Sequence, residues 1–252
     1  MADLAEIVSF LDRELNIAGI PDYGGAMNGL QLENSSGQVS RIIAAVDASL
    51  PVIEEVAAAG PGLLLVHHGM FWQGTQALKG AFFKKIKTAI DCGLAIYSAH
   101  LPLDVHPLWG NNVNLANALG IRGLQPFLDW KGLPIGLRGE WCGSRSELGI
   151  RLGEVVGGPV HLCPGGPERL STVGLVTGGA GGETAAAAAA GVDAFITGEG
   201  PHWSHVLAEE LGLNLYFAGH YATETFGVKA LARDLALRFS LDWSFVDRPS
   251  GR

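Results

Sequence analysis

The sequence predicts an α/β protein of two domains, each with a mostly parallel or mixed, helix-covered sheet. Three observations predict it. Short apolar runs with turn-like flanks recur along the chain, as in RIIAAV (41–46), GLLLV (62–66) and LAIYS (94–98). Stretches of helical length alternate with them. A Gly/Pro-rich segment of weak periodicity, 125–167, interrupts the series, and a second αβ series follows it. Buried runs alternating with helices are the pattern of a parallel sheet.

Each element has its own warrant. Apolar residues at 4, 7, 8, 11 and 15 share one helical face, and Asp3 can cap it, so a helix is expected over 2–15. Residues 21–36 are rich in Gly, Pro and Asn and read as loop. Then come strand 41–46, helix 50–59, strand 62–66, helix 81–92 and strand 94–98. A helix over 112–119 closes this section, with Gly120 at its C-terminal end. Within the weakly periodic segment the clearest element is a helix over 144–156. The second series runs strand 171–176, glycine-rich turn 178–182, helix 183–190 and strand 194–197. Helix 202–211, strand 214–217, helix 223–238 and strand 243–246 complete it. The change of character places a first domain at 1–125, completed by 215–252, and an inserted second domain at 126–214.

Composition excludes several function classes. Lys and Arg number 17 against 25 Asp and Glu, a net charge of −8. A large sequence-independent nucleic-acid surface needs the opposite balance. Cys92, Cys142 and Cys163 form no C-x-x-C pair, so neither a disulfide framework nor a zinc ribbon is expected. A reducing cytoplasm fits that usage. The start of the chain carries Asp3 and Glu6 and no basic stretch, so no signal peptide is expected. No apolar run reaches the ~18 residues of a membrane span.

The residues able to carry chemistry share a structural address. His67 and His68 follow the run GLLLV. Asp104 follows LAIYS in SAHLPLD. His220 follows NLYFA, and Glu224 comes four residues later. Open α/β sheets bind ligands beyond the carboxyl ends of their strands. Imidazoles with a few carboxylates are the donor set of Zn²⁺, Fe²⁺ or Mn²⁺. Three His and two carboxylates suffice for two open sites if one carboxylate bridges, and two metals sharing a water are the arrangement of assisted hydrolysis. Adjacent His67 and His68 face opposite ways on an extended strand, and a turn at Gly69 could redirect them. The alternatives are a chance His-His pair, a local His220–Glu224 helix pair and Asp104 as a cap. His100 reads as a further ligand, an orienting group, a proton carrier or a strand-end cap. His202 and His205 either line the same cleft or lie on solvated surface, and His161 reads as structural. The turn 178–182 lacks the lysine of a phosphate loop, and a plain tight turn is the stronger reading.

The blocks LLLVHHGMFWQG, YSAHLPLDVHPLWGNN, FITGE and FAGHYATETFGVKAL, with PDYGGAMNGLQLE near the start, resemble the NIF-three-like, or YbgI, family. Some bacterial members carry the name GTP cyclohydrolase I type II. The resemblance spans nearly the whole chain and is loose over 125–165. It implies two α/β domains flanking a dinuclear metal site in the cleft between them, in a homohexamer built as a trimer of dimers. It implies the ligands His67, His68, Asp104, His220 and Glu224, two divalent metals per chain, and a nucleotide or small-molecule substrate. Tyr221 stands where one common form of the last block, GHHATE, has a second His. The expected activity is a metal-dependent hydrolase, with His100 or Glu224 moving the proton. The competing expectation is a carrier, insertase or adaptor without turnover. A ring that encircles nucleic acid is the weakest, given the acidic charge.

Overall fold

The computed structural model describes residues 1–251. The chain forms two compact units, Met1–Leu103 with Val228–Arg248, and Asp104–Gly227. Both are α/β, as expected. No helix of the described residues is long and apolar enough to cross a membrane.

The first unit opens with β1 (Ala2–Asp3) and α1 (Leu4–Glu14). Asp3 accepts from the Glu6 amide and caps α1, whose Leu4, Ile7, Phe10 and Leu11 are buried. There follow β2 (Gly29–Leu32), β3 (Gln38–Val39), β4 (Arg41–Asp47), α2 (Leu50–Ala58), β5 (Gly62–His68), α3 (Gly80–Cys92) and β6 (Leu94–Ser98). β4, β5 and β6 pair in parallel. β2 pairs antiparallel with β6 at one edge. A strand from the C-terminal region, Asp242–Phe245, pairs in parallel with β4 at the other. β1 and β3 make a separate antiparallel pair. β2 corrects the loop expected over 21–36: it is short, half-exposed and irregular in register, so it has no apolar run. Ile43, Val52, Ile53, Leu64, Leu94 and Ile96 form the core beneath α2 and α3.

The short helix α4 (Leu101–Asp104) leads to the second unit. That unit contains α5 (Asn111–Leu119), β7 (Arg122–Trp130), β8 (Leu133–Ser144), α6 (Arg145–Val156), β9 (His161–Pro164) and β10 (Arg169–Leu175). After a 3-10 turn at Gly181–Glu183 come α7 (Thr184–Ala189), β11 (Ala194–Thr197), α8 (Trp203–Glu210), β12 (Asn214–Phe217) and α9 (His220–Thr223). Its sheet runs β7-β8-β10-β11-β12-β9. β10, β11 and β12 are parallel; β7, β8 and β9 are antiparallel additions. Alternate residues of β11 serve opposite faces: Ala194 and Ile196 pack with α5 and α6, Phe195 with α7 and α8. α10 (Thr225–Phe239) carries the chain back, and β13 (Asp242–Phe245) is the edge strand beside β4.

These boundaries differ from the expected 125 and 215. β7 begins at Arg122 and pairs with β8, which pairs with β10, so this hairpin belongs to the second sheet. α5 lies there too, because Leu115, Ala116 and Leu119 fill that core. β12 sits between β11 and β9, so the return comes after it, within α10.

Arg41, at the end of the first sheet opposite His67 and His68, clamps the α2–β5 turn. Its Nη2 donates to the carbonyls of Val56 at 2.9 Å and Gly60 at 2.7 Å, and its Nε to Pro61 at 3.1 Å. A guanidinium on carbonyls at a helix C-terminus is favourable in charge and geometry. Arg41→Met is expected to cost about 2 kcal/mol, the scale of one charged hydrogen bond. Urea unfolding checks the loss, and metal content is expected to stay at the parent level.

Candidate functional site

In the first unit three imidazoles meet. β5 continues through His67 and His68, so both are the last residues of the strand rather than residues beyond it. His100 lies just after β6. The ring centroids of His67 and His68 are 4.8 Å apart, those of His67 and His100 4.8 Å, and those of His68 and His100 5.6 Å. One nitrogen from each ring lies within 4.8 Å of the others.

Each ring is held by its Nδ1. His67 is fully buried and donates Nδ1–H to the Ala99 carbonyl at 2.9 Å. His68 Nδ1 is 2.9 Å from Asp47 Oδ1, and His100 Nδ1 is 2.8 Å from Asp22 Oδ1. A carbonyl or carboxylate only accepts, so Nδ1 carries the proton and the lone pair sits on Nε2. This is the tautomer that a ligand histidine needs, fixed from behind by an oxygen.

The loop before β2 builds the support. Asp22 Oδ2 accepts from the Leu101 amide at 3.0 Å and from Asn28 Nδ2 at 2.7 Å. Burial pushes the Asp22 carboxyl up, but His100, Asn28 and the Tyr23 amide outweigh it and hold it below the usual carboxylate range. Asn28 Oδ1 accepts from the His100 amide at 2.7 Å. Gln31 Oε1 accepts from the Met70 amide at 2.7 Å. A Cβ on Gly69 would stand 2.2 Å from Gln31 Nε2. Glycine there makes room for Gln31, rather than supplying a left-handed turn.

In the second unit, His220 opens α9 and Glu224 closes it. His220 Nε2 is 3.1 Å from Glu224 Oε1, and its Nδ1 is 3.0 Å from Glu199 Oε1. Burial lowers the His220 pKa, but Glu224 and then Glu199 raise it further, to about 9. Glu224 is buried and Glu199 half-exposed. Asp104 is also buried. Its Oδ1 accepts from Asn111 Nδ2 at 2.8 Å and lies 3.4 Å from Thr177 Oγ1. Asn111 Oδ1 in turn accepts from the Gly227 amide at 2.6 Å. Thr177 reaches Asp104, and a Cβ on the next residue, Gly178, would meet both Glu224 Oε1 and His220 Nε2.

The turn 178–182 is a tight strand-to-helix turn whose Gly178, Ala180 and Gly181 amides are already engaged. Gly178 N donates to Thr223 Oγ1, Ala180 N to Thr197 Oγ1, Gly181 N to the Glu199 carbonyl and Glu183 N to the Ala180 carbonyl. Gly178 has φ +73°, and a Cβ there would stand 2.3 Å from Glu224 Oε1.

The structure thus gathers His67, His68 and His100 in one unit, and His220 with Glu224 in the other, where Asp104 has its own bonded setting. Sequence reasoning missed the supports Asp22, Asp47, Asn111 and Glu199. Asp22, Asn111 and Glu199 lay inside the quoted blocks, but only a contact could show which oxygen meets which partner.

Three outcomes follow. Asp47→Ala is expected to weaken metal binding about 10–100-fold, the usual effect of losing a ligand's supporting carboxylate, as read by calorimetric titration. Gly178→Ala is expected to lower affinity as well, because the added carbon meets Glu224 in a strained backbone. In the metal-free protein the raised His220 pKa adds stability that is full below its ordinary value of 6.5 and lost as pH rises through about 9. Thermal unfolding across that window is expected to fall in the parent and to flatten in His220→Gln.

The model of the Duf34/NIF3 (NGG1p interacting factor 3) family matches residues 2–249. A Deinococcus radiodurans protein named GTP cyclohydrolase 1 type 2 homolog is 40% identical over 251 residues, covering 98% of this chain and 93% of that protein. A solved structure described as protein ybgI, of unknown function, superposes with TM-score 0.92 at 36% identity over 100% of both chains. A solved structure from Thermus thermophilus, that of TTHA1606, does so with TM-score 0.91 at 38% identity, again over 100% of both. With the match to the family model running almost end to end, the chain belongs to the Duf34/NIF3 family.

Proposed function

We propose that this chain binds two divalent metals, zinc, iron or manganese, through His67, His68, Asp104, His220 and Glu224. We further propose that it acts as a metal-dependent hydrolase on a nucleotide-like substrate, with ring opening of the GTP cyclohydrolase type. One observation carries the metal reading. His67 and His68 each have Nδ1 bonded to an oxygen acceptor, which leaves Nε2 for a metal, and His220, held at Nδ1 by Glu199, presents Nε2 beside Glu224, the carboxylate proposed to share the metal. The buried carboxylates of Asp104 and Glu224 complete a donor set suited to borderline cations.

When bound, such metals supply Lewis-acid activation of water for hydrolysis. The chain's own part is positioning and proton transfer. His100 is the proton carrier, with Asp22 holding Nδ1 and leaving Nε2 to accept and return a proton. Tyr23 and Trp72 stand beside it. Their centroids lie 6.0 and 4.8 Å from that of His100, and both rings are substantially exposed. Exposed aromatic faces beside a proton carrier favour a flat heteroaromatic substrate. The names of the curated relatives support the same substrate class. The reading also carries a homohexamer, a trimer of dimers, acting in the cytoplasm; light scattering coupled to gel filtration checks the assembly.

The test is metal stoichiometry with GTP turnover before and after chelation. Two equivalents per chain held by the five residues named above, and formate release that chelation stops, are expected. His67→Ala and Glu224→Gln should each lose at least one equivalent, and Trp72→Ala should raise KM more than it lowers kcat. Parental metal content in both ligand variants would sink the site. Two metals without turnover of GTP, other nucleotides, phosphoesters or amides would overturn the hydrolase and leave a carrier, insertase or adaptor.

A further inference from the structure

A second group of donors lies in the second unit and shares no residue with the centre proposed above. His161 and Cys163 are alternate residues of β9, so their side chains share a face of the sheet. That face is the one covered by α8, where Cys163 packs with Ala208 and Leu215. α8 contributes His205 and, one turn on, Glu209. His161 Nε2 is 3.4 Å from His205 Nδ1. The Cys163 sulfur lies with one nitrogen of each imidazole in a group spanning no more than 4.8 Å.

We propose that His161, Cys163 and His205 form a second metal site, separate from the histidine–carboxylate centre, that takes Zn²⁺ or a similarly thiophilic divalent cation.

Geometry supports it first. Zn–N bonds of about 2.0–2.1 Å at tetrahedral angles put two imidazole nitrogens about 3.3–3.4 Å apart. The separation here is 3.4 Å. A thiolate sulfur at about 2.3 Å from the metal would sit about 3.6 Å from each nitrogen, so modest movement of the sulfur closes the site. The support behind the ligands is second. His205 Nε2 faces Glu209 Oε1 at 3.5 Å, which leaves Nδ1 for the metal in a carboxylate–histidine–metal relay. His161 stacks almost parallel on Phe217, with an interplanar angle of 8°. The donor chemistry is third. One sulfur with two imidazole nitrogens favours zinc over the oxygen-seeking Mg²⁺ and Ca²⁺. On binding, the Cys163 S–H bond breaks, the sulfur bonds the metal and the proton passes to water. A nucleophilic role suits this thiol poorly, since burial and then the charge of Glu209 push it up to about 11. β9 is an edge strand of its sheet. The metal would fasten that edge to α8.

Co²⁺ tests the site independently of the other centre, whose proposed ligands include no sulfur. Metal-stripped full-length protein is reloaded with Co²⁺ and its near-ultraviolet spectrum recorded. A sulfur-to-cobalt charge-transfer band is expected. Cys163→Ser and His205→Ala should abolish it, each with the loss of one Co²⁺ equivalent. Glu209→Gln should weaken the binding that produces the band about 10–100-fold. Glu224→Gln should lose metal while the band persists, so failure of one site is distinguishable from failure of the other. His205 is partly exposed, and His205→Ala keeps the test decidable if the buried Cys163 change disturbs packing. No band at saturating Co²⁺, or a band retained in both Cys163→Ser and His205→Ala, overturns the proposal.

Discussion

The bond behind each imidazole is the constraint on which the functional residues depend. A histidine ring is a useful ligand or proton carrier only when one nitrogen is committed and the other kept for the task. Four rings here are committed through Nδ1, to the Ala99 carbonyl and the carboxylates of Asp47, Asp22 and Glu199. All four acceptors lie at least 21 residues in sequence from the ring they hold. The loop before β2, the last residue of β4 and the turn after β11 therefore serve the chemistry by holding these rings.

The buried polar residues around these rings follow from the same demand. Burying carboxylates such as Asp104 and Glu224 is costly unless their oxygens are bonded or paired. Asn111 bridges Asp104 to the Gly227 amide, and Glu224 meets His220. Two glycines serve the same packing. Gly69 admits Gln31, and Gly178 admits Glu224, each where a methyl group would collide with a polar side chain. At Gly69 close approach alone requires glycine, and at Gly178 close approach joins a positive φ.

Sequence reading reached the interior strands easily. β4, β5, β6, β11 and β12 are apolar runs because helices or neighbouring strands bury them. It failed on the half-solvated ones. β2, β7 and β8 show mixed burial, so no run of one character marks them. The hairpin of β7 and β8 turns at Lys131 and Gly132, both with positive φ, a two-residue signal easily lost in a glycine-rich segment. Missing that hairpin, and placing α5 with the first sheet, moved the expected unit boundary from 103 to 125. Among the chemical residues, the metal-type donors were legible from their place at strand ends. Their oxygen anchors were not, since tautomer control depends on contacts across as many as 78 residues. His161 and Cys163 read as isolated because their companion, His205, lies 44 residues from His161 on another element.

The return of the chain through α10 to β13 bears on the order of events during synthesis. Every strand of the second sheet is made before residue 218, so that unit has its sheet and both cores available while the chain is still growing. The first unit must wait. Its β4, RIIAAVD, keeps one main-chain edge without a strand until Asp242–Phe245 emerges, almost two hundred residues later. An apolar strand with an open edge is a template for pairing with another chain. The nascent protein is therefore most vulnerable to self-association in the interval between completing its inserted unit and docking its last strand.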